Sequence, residues 1–238
     1  MVVFLGLAVG LWEIAVRMTD LPKLILPGPG DVASVLTNSW RSLLRSMLAT
    51  MQIIGWGFLL GSLSGFLLGI LIRYVAFFRR MLHPIASMVY VIPKSVFVPL
   101  FFLWWGAGPT YKLLVIVLLV FFPVMENTIA GLQSVGTDMV DLSRSLGGNR
   151  FLTFRKIELP TSMPFVLAGL RLGVTEAFVG AVIVELIIPH SGIGSQIVLA
   201  GSQGNTQYIL AGILVIALFG IASYQVVARI ERRLTFWY

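Results

Sequence analysis

The chain has 238 residues, of which 58% are hydrophobic and only 11% are charged, and its mean hydropathy is +0.94. A soluble domain of this length cannot bury so much apolar surface, so the composition predicts an integral membrane protein. The net charge of +7 arises from basic residues beside apolar runs, where they orient spans, and nucleic acid is not an expected partner. The chain has no cysteine, which excludes disulfides and a cysteine nucleophile.

Several apolar runs are long enough to cross a bilayer as helices, and the period-two alternation of outer-membrane barrel strands is absent. We therefore expect an all-α membrane protein with about six transmembrane helices. The first run has neither a basic n-region nor a convincing cleavage site, so we interpret it as a retained span and leave a truncated N-terminus open. The expected spans are residues 2–16, 51–72, 82–105, 113–129, 164–188 and 208–227.

Basic residues between the spans predict the orientation. With the N-terminus in the cytoplasm, ten of them lie on the cytoplasmic side and five lie outside, as the positive-inside rule requires. Both termini are then cytoplasmic. The cytoplasmic ten are Arg73, Arg79, Arg80, Arg144, Arg150, Arg155, Lys156, Arg229, Arg232 and Arg233, and the outer five are Arg17, Lys23, Arg41, Arg45 and Lys112.

A Pro-Gly-Pro-Gly sequence at residues 27–30 breaks the chain after the first span, and Asp31 is a candidate N-cap for the next helix. Apolar residues then recur at helical spacing, which predicts an outer amphipathic helix over about 31–50. This helix lies either in the membrane interface or against the edge of the bundle.

A glycine ridge runs along the second span, because Gly57, Gly61, Gly65 and Gly69 recur every four residues. Such a ridge lets another helix approach closely. We favour packing within the chain over a subunit interface, although the spacing does not choose the partner helix.

The third span contains Pro93 and Pro99. Each proline frees a backbone carbonyl, and at membrane depth such breaks are tolerated where they face protein or a water-filled cavity. Repeated breaks therefore indicate a translocation path. Lys94 is the candidate for drawing an anion into that path, and pairing with an acid or snorkelling to water is its alternative role.

Arg171 and Glu185 are the other charged candidates for a path or gate. They lie fourteen residues apart on one helix, roughly 21 Å along its axis, which is too far for a direct pair. For both we favour a structural contact over solute binding: Arg171 at the inner mouth or cytoplasmic loop, and Glu185 with the loop at residues 192–194. His83 and His190 stand apart from acidic clusters, so no metal site is expected.

A polar segment lies between the fourth and fifth spans, at about 132–162. Apolar and polar residues alternate up to residue 146, Gly147-Gly148 then ends a short helix, and Asn149 is a candidate cap for a second one. Two short helices that meet at a glycine elbow suit insertion into a cleft of another protein, and an ordinary surface loop is the alternative. We expect the fifth span to start at Thr161 or Ser162, just before Pro164.

This segment resembles the loop of permease subunits of binding-protein-dependent ABC importers, whose pattern is Glu-Ala-Ala, three residues, Gly, nine residues, Ile, one residue, Leu-Pro. Four residues match at the same spacing, whereas three others replace Glu-Ala-Ala and leave the first helix bulkier and more polar. Short matches over nearly the whole chain, among them residues 92–94, 105–106, 169–171 and 192–194, are similar to the nitrate, sulfonate and taurine branch. The matching residues are Gly147, Ile157, Leu159 and Pro160, and the replacements are Asp141, Leu142 and Ser143.

The resemblance implies a type I ABC importer permease fold in a bacterial inner membrane, with a single permease domain over 1–238. It implies as partners a second copy of the permease, two cytoplasmic ATP-binding subunits and an extracytoplasmic substrate-binding protein. The loop at 132–162 would couple this chain to the ATPase and would be cytoplasmic. The implied coupling residues are Asp141, Leu142, Ser143, Leu146, Gly147, Ile157, Leu159 and Pro160.

The chain has no Gly-x-x-x-x-Gly-Lys-Ser/Thr loop, so we expect ATP and Mg²⁺ on the partner ATPase and no enzymatic activity here. We expect the transported solute to be a small anion such as a sulfonate, taurine or nitrate, and a vitamin precursor or similar heterocycle is the alternative. From other classes, an ion-coupled secondary transporter or a membrane enzyme lacks support, because the sequence offers no convincing repeat and no catalytic set.

Overall fold

The computed structural model describes residues 2–19, 22–82, 84–85, 88–89 and 92–234, and each regular element among them is a helix. Short π-helical turns occur at Phe78–Leu82 and Phe154–Glu158, and a 3₁₀ turn occurs at Lys94–Val96. The α-helices are α1 (Val2–Thr19), α2 (Pro29–Asn38), α3 (Trp40–Tyr74), α4 (Phe97–Trp105), α5 (Pro109–Gln133), α6 (Thr137–Ser145), α7 (Arg150–Thr153), α8 (Leu159–Ile187), α9 (Ile193–Ser202) and α10 (Thr206–Leu234).

The prediction of an all-α membrane protein is confirmed. Among the described residues, four helical runs are long and apolar enough to cross a membrane. They contain the predicted spans 51–72, 113–129 and 208–227 and all but the last residue of 164–188, and residues 2–16 lie within α1. The four runs are Trp40–Tyr74, Pro109–Gln133, Arg150–Ile187 and Thr206–Leu234.

The predicted third span is interrupted, and part of it lies outside the described residues. Pro93 is not helical, and the chain passes through the 3₁₀ turn into α4. Pro99 does not make the expected second break. It lies in the first turn of α4, where a backbone N–H has no intrahelical acceptor and the missing donor costs little.

The packing divides the chain into two compact units. The first comprises residues 1–52 with 182–219, and the second comprises residues 53–181 with 220–238. The organisation of 1–238 as a single permease domain stays a prediction.

In the second unit, the ridge of Gly57, Gly61, Gly65 and Gly69 faces α5 at backbone distance. A Cβ at Gly65 would lie 2.5 Å from the carbonyl oxygen of Phe121 and 3.1 Å from the amide nitrogen of Met125. The four glycines thus allow α3 and α5 to touch through main-chain atoms, as small residues do between membrane helices.

A second glycine face covers another side of α5. On α8, a Cβ at Gly169 would lie 2.8 Å from the Cβ of Asn127, and one at Gly180 would lie 2.3 Å from Leu119 Cδ1. Gly173 lies between them and approaches Val120. Glycines of two helices therefore surround α5, and Val115, Ile116, Val124 and Met125 are fully buried there.

In the first unit, the segment 31–50 is divided between two helices at Ser39. Asp31 is not the N-cap of α2. Gly28 holds that position, Pro29 follows it, and the Asp31 carboxylate accepts from the Gly28 N–H (3.1 Å) and the Lys23 ammonium (2.7 Å). The hydrogen bond from Lys23, with that from Gly28, holds the pKa of the Asp31 carboxyl below its ordinary value. The interfacial position of this segment stays a prediction.

Candidate functional site

The elbow segment, residues 137–160, begins with α6 and turns sharply at two glycines. The amide nitrogen of Gly147 donates to the carbonyl of Arg144 (3.0 Å), and that of Gly148 donates to the carbonyl of Ser143 (2.8 Å). Gly147 has φ +80°, a backbone conformation that residues with a side chain rarely adopt. A Cβ there would meet no atom within 4 Å, so the backbone conformation and not the space favours glycine. Position 148 has no room for a side chain, because a Cβ there would lie 2.5 Å from Ser143 Oγ.

Side chains connect the two arms of the elbow, which are α6 before the glycines and residues 150–160 after them. Asn149 caps α7, since its Oδ1 accepts from the amide of Leu152 at 2.8 Å, and the cap predicted from sequence is confirmed. The hydroxyls of Ser143 and Thr153 lie 2.8 Å apart, and that of Thr153 also donates to the Asn149 carbonyl (3.0 Å). The turn is thus set by hydrogen bonds from both arms.

The second arm does not end before the next span, and the predicted helix start at Thr161 or Ser162 is wrong. Helical structure runs without a break from Arg150 to Ile187. Ile157, Leu159 and Pro160 lie inside this run, and Pro164 lies within α8. A π-helical turn at Phe154–Glu158 lies one residue before Pro160, and a wider turn of this kind relieves the clash of a proline ring with the preceding turn.

The outer surface of the elbow segment is apolar and uncovered. Leu146 is 79% exposed and Phe151 is 69% exposed, and Met139 and Leu142 are also exposed. Leu142, Leu146, Leu152 and Ile157 line an apolar groove together with the elbow glycines. Asp141 and Arg144 form an exposed pair at 3.3 Å, which contributes little to stability.

Glu158 connects the elbow segment to the end of α3, and sequence reasoning missed this role. It is 4% exposed, accepts from the Tyr74 hydroxyl, and lies 3.8 Å from Arg73 Nη2. The ring of Tyr74 also packs edge-on against Phe154 at 5.8 Å. An acid between basic residues and an apolar run was the available signal.

Lys94 lies at the break in the third predicted span, as the first residue of the 3₁₀ turn. It is half-buried, and its Nζ lies 5.8 Å from the centre of the Phe122 ring. Pro93 is exposed. The structure thus places a cation beside an aromatic ring at the interrupted helix.

Arg171 contacts the last helix and not the elbow segment. Its guanidinium pairs with the carboxylate of Glu231 and lies 5.7 Å from the centre of the Tyr224 ring. Glu231 is the only acidic residue after Glu185 in the sequence, but it lies 60 residues from Arg171, and no sequence pattern pairs the two.

Glu185 is the centre of a buried network in the first unit. It is 1% exposed and accepts from the Thr50 hydroxyl (2.9 Å) and the Gly194 N–H (2.8 Å). Thr50 in turn accepts from the Ile193 N–H at 3.0 Å. Gly192 has φ +99°, and a Cβ there would lie 1.8 Å from the Glu185 carboxylate. Glu185 therefore holds the start of α9, as expected for the 192–194 loop.

No group of three His, Asp or Glu side chains suited to a metal ion occurs in the part of the chain that the structure describes. His190 is exposed, whereas His83 lies outside the described residues.

The comparisons with known proteins agree with these features. Residues 57–236 match the family model described as binding-protein-dependent transport system inner membrane component. The riboflavin transport system permease protein RibX of Chloroflexus aurantiacus is 30% identical over 95% of this chain and 85% of its own length. The putative aliphatic sulfonates transport permease protein SsuC of Bacillus subtilis is 31% identical over 96% of this chain and 84% of its own length.

The fold is that of a solved permease as well. The chain superposes on a subunit of the inward-facing MetNI methionine ABC transporter with a TM-score of 0.70 at 16% identity, covering 81% of this chain and 95% of that one. This chain belongs to the family of binding-protein-dependent transport system inner membrane components, and it has the type I ABC importer permease fold. Permeases of this type are membrane-embedded and work with ATPase and binding-protein partners.

Proposed function

We propose that two copies of this chain form the pathway of an importer in a bacterial inner membrane, with both termini and the elbow segment in the cytoplasm. Separate subunits bind ATP and Mg²⁺, and an extracytoplasmic binding protein delivers the solute. The solute is a small organic anion such as a sulfonate or taurine. Nitrate belongs to the same class of expected solutes.

The exposed apolar surface of the elbow segment carries this proposal. Leu142, Leu146 and Phe151 face outward on a turn that hydrogen bonds hold in one shape. Burial of such side chains in a cleft of another protein is favourable at about 25 cal/mol per Å² of apolar area. A fixed turn also loses little conformational entropy on docking. The ATPase subunit is the proposed partner of this surface.

The continuous run from Arg150 to Ile187 gives the docked ATPase a path into the membrane. A displacement of the elbow passes along this helix, because no loop intervenes to absorb it. Glu158 transmits part of the same displacement to α3 through Tyr74 and Arg73. Alternation between inward-open and outward-open states requires such two-state elements.

Lys94 supports an anionic solute, because a cation at an interrupted membrane helix attracts negative charge. The similarity to a permease named for aliphatic sulfonates points the same way. Aromatic residues of α4 favour a second candidate, a riboflavin-like heterocycle. Phe101 lies 5.9 Å from Phe97 and 5.6 Å from Trp105, between ring centres, and RibX is named for riboflavin.

Docking of an ATPase is tested by purifying the tagged chain from its native membranes and identifying co-purifying subunits by mass spectrometry. Gly147→Asp strains the elbow at φ +80° and places a charge in the docking surface. Gly108→Asp is the matched control, because Gly108 is also exposed and surrounded by open space, but it lies at the other end of α5. We expect an ATPase subunit with the parent and with Gly108→Asp, and its loss with Gly147→Asp.

Two results contradict the importer. One is the absence of any ATPase from all three samples. The other is solute uptake by vesicles that contain this chain alone, driven by an ion gradient, which would make it a secondary transporter. Uptake of radiolabelled taurine and of riboflavin by the complete complex with ATP then separates the two solute classes.

A further inference from the structure

A pocket of about 220 Å³ lies where two membrane-crossing helices end beside the elbow segment. Its lining comprises Arg73 from the end of α3, Arg144 from α6, and Arg150, Thr153 and Glu158 from the run that continues into α8, with Tyr74 and Val140 completing it. We call this the arginine pocket. Its volume accommodates several waters or a small polar group, since water occupies about 30 Å³ in the liquid.

The lining has a charge of +2, because three guanidinium groups oppose one carboxylate. Arginine cannot release its proton in a protein, so the three positive charges are permanent. Glu158 offsets only one of these charges, and both its oxygens have partners within the chain: Tyr74 donates to one, and the other lies 3.8 Å from Arg73.

All three arginines have unused donors. Arg73 Nε is buried and has no hydrogen-bond acceptor among the described residues. The Arg150 guanidinium makes no hydrogen bond or ion pair with any residue that the structure describes, and the Arg144 guanidinium has one such partner, the exposed Asp141 carboxylate at 3.3 Å. A buried guanidinium nitrogen without an acceptor is costly, so the pocket favours an anion with several acceptor oxygens.

We propose that the arginine pocket binds a phosphate group, either as the headgroup of an anionic phospholipid or as free phosphate. Arg73 is the next-to-last residue of one run long enough to cross a membrane and Arg150 is the first residue of another, so the pocket lies at the ends of two such runs, where we expect lipid headgroups to approach. Basic pockets between membrane helices bind anionic headgroups by the same chemistry. The oxygens of one phosphate group bridge α3, α6 and α7, so the bound group fixes the elbow segment against the end of α3.

The proposal is tested on the full chain purified in detergent, by native mass spectrometry in the presence of phosphatidylglycerol or phosphatidylcholine. In a second arm, melting of the lipid-free chain is followed in phosphate and in chloride at equal ionic strength. The test variants are Arg150→Gln and the double variant Arg144→Gln/Arg150→Gln. Arg155→Gln is the matched control, because Arg155 is an exposed arginine of the same segment that does not line the pocket.

We expect the parent and Arg155→Gln to retain phosphatidylglycerol, with affinity reduced about tenfold in the double variant and less in Arg150→Gln. Retention of this lipid without a phosphate-specific rise in melting temperature assigns the site to a headgroup. A phosphate-specific rise that the double variant loses, without lipid preference, assigns it to free phosphate. Binding of neither, or equal loss in Arg155→Gln, overturns the proposal. None of these readouts depends on ATPase docking or on the transported solute.

Discussion

Helix α5 and the elbow segment belong to the same compact unit, yet they use apolar residues in opposite ways. Around α5, glycines bring backbones into contact and bury Val124 and Met125 completely. In the elbow segment, glycines shape a turn that leaves the side chains of Leu146 and Phe151 largely exposed. The comparison separates residues that stabilise this chain from residues that the proposed function assigns to contact with an ATPase subunit.

The largest loss of stability is expected where a side chain is introduced at a glycine that contacts the backbone of another helix. Gly65→Val places Cβ 2.5 Å from the Phe121 carbonyl oxygen, and neither helix can yield without losing its neighbours. Gly55→Val in the same helix meets nothing within 4 Å and is the control. Overpacking of this kind costs about 3 kcal/mol or more. Melting of detergent-extracted protein, followed by size-exclusion chromatography, measures the difference, and equal melting of both variants contradicts this packing of α3 on α5.

An intermediate loss is expected at the anchor of the elbow segment. Tyr74→Phe removes the hydroxyl that donates to the buried Glu158 carboxylate, which then keeps only the distant Arg73. Leaving a buried acceptor unsatisfied costs about 1–3 kcal/mol. Tyr224→Phe is the control, because its hydroxyl makes no hydrogen bond to the described residues. The same melting assay applies, and a Tyr74→Phe protein as stable as its control argues against an anchoring role.

A small, pH-dependent effect is expected from the surface ion pair of Lys23 and Asp31. Because folding lowers the pKa of the Asp31 carboxyl, its contribution is present above the unfolded value of about 3.9 and disappears as the pH falls through the folded value. Asp31→Asn should therefore melt slightly below the parent at pH 7, and the difference in melting temperature should shrink as the pH falls below about 4. If the difference in melting temperature between the variant and the parent grew as the pH fell, the ion pair of Lys23 and Asp31 would not be its cause.

The smallest stability effect, and the sharpest test of the comparison, is expected at Leu146. Leu146→Ser removes a side chain that is already outside, so the isolated chain should melt as the parent does. The variant should nevertheless lose much of the ATPase that co-purifies with the parent. Ser145→Ala, at the neighbouring exposed position, should change neither property. A destabilised Leu146→Ser chain would show that this surface packs within the chain.

Sequence reasoning located the glycine ridge but not its partner. Spacing by four shows that Gly57 to Gly69 share a face, whereas the choice of α5 depends on contacts distant in sequence. The facing glycines of α8, at 169, 173 and 180, were missed because their spacing of four and then seven looks less regular. Local pattern therefore predicted the packing device but not the pairing of helices.

The elbow was predictable because Gly147, Gly148 and Asn149 act through their own neighbours. Prolines were less informative. Pro93 breaks the helix, but Pro99 lies in a first turn and Pro164 lies inside a continuous helix. The cost of a proline depends on the turn before it, which the residue itself does not specify. The contacts of Glu158 with Tyr74 and of Arg171 with Glu231 join distant segments, so sequence spacing gave no direct sign of them.

The helical run from Arg150 continues through residue 181 within the second compact unit, which is 32 residues or about 48 Å at 1.5 Å per residue. A tilt of about 5° at one end of a segment of that length moves the other end by about 4 Å. In the proposed importer, an ATPase that tilts the elbow segment by a few degrees would therefore move the membrane part of this run by the width of an atom or more, without breaking a backbone hydrogen bond in between.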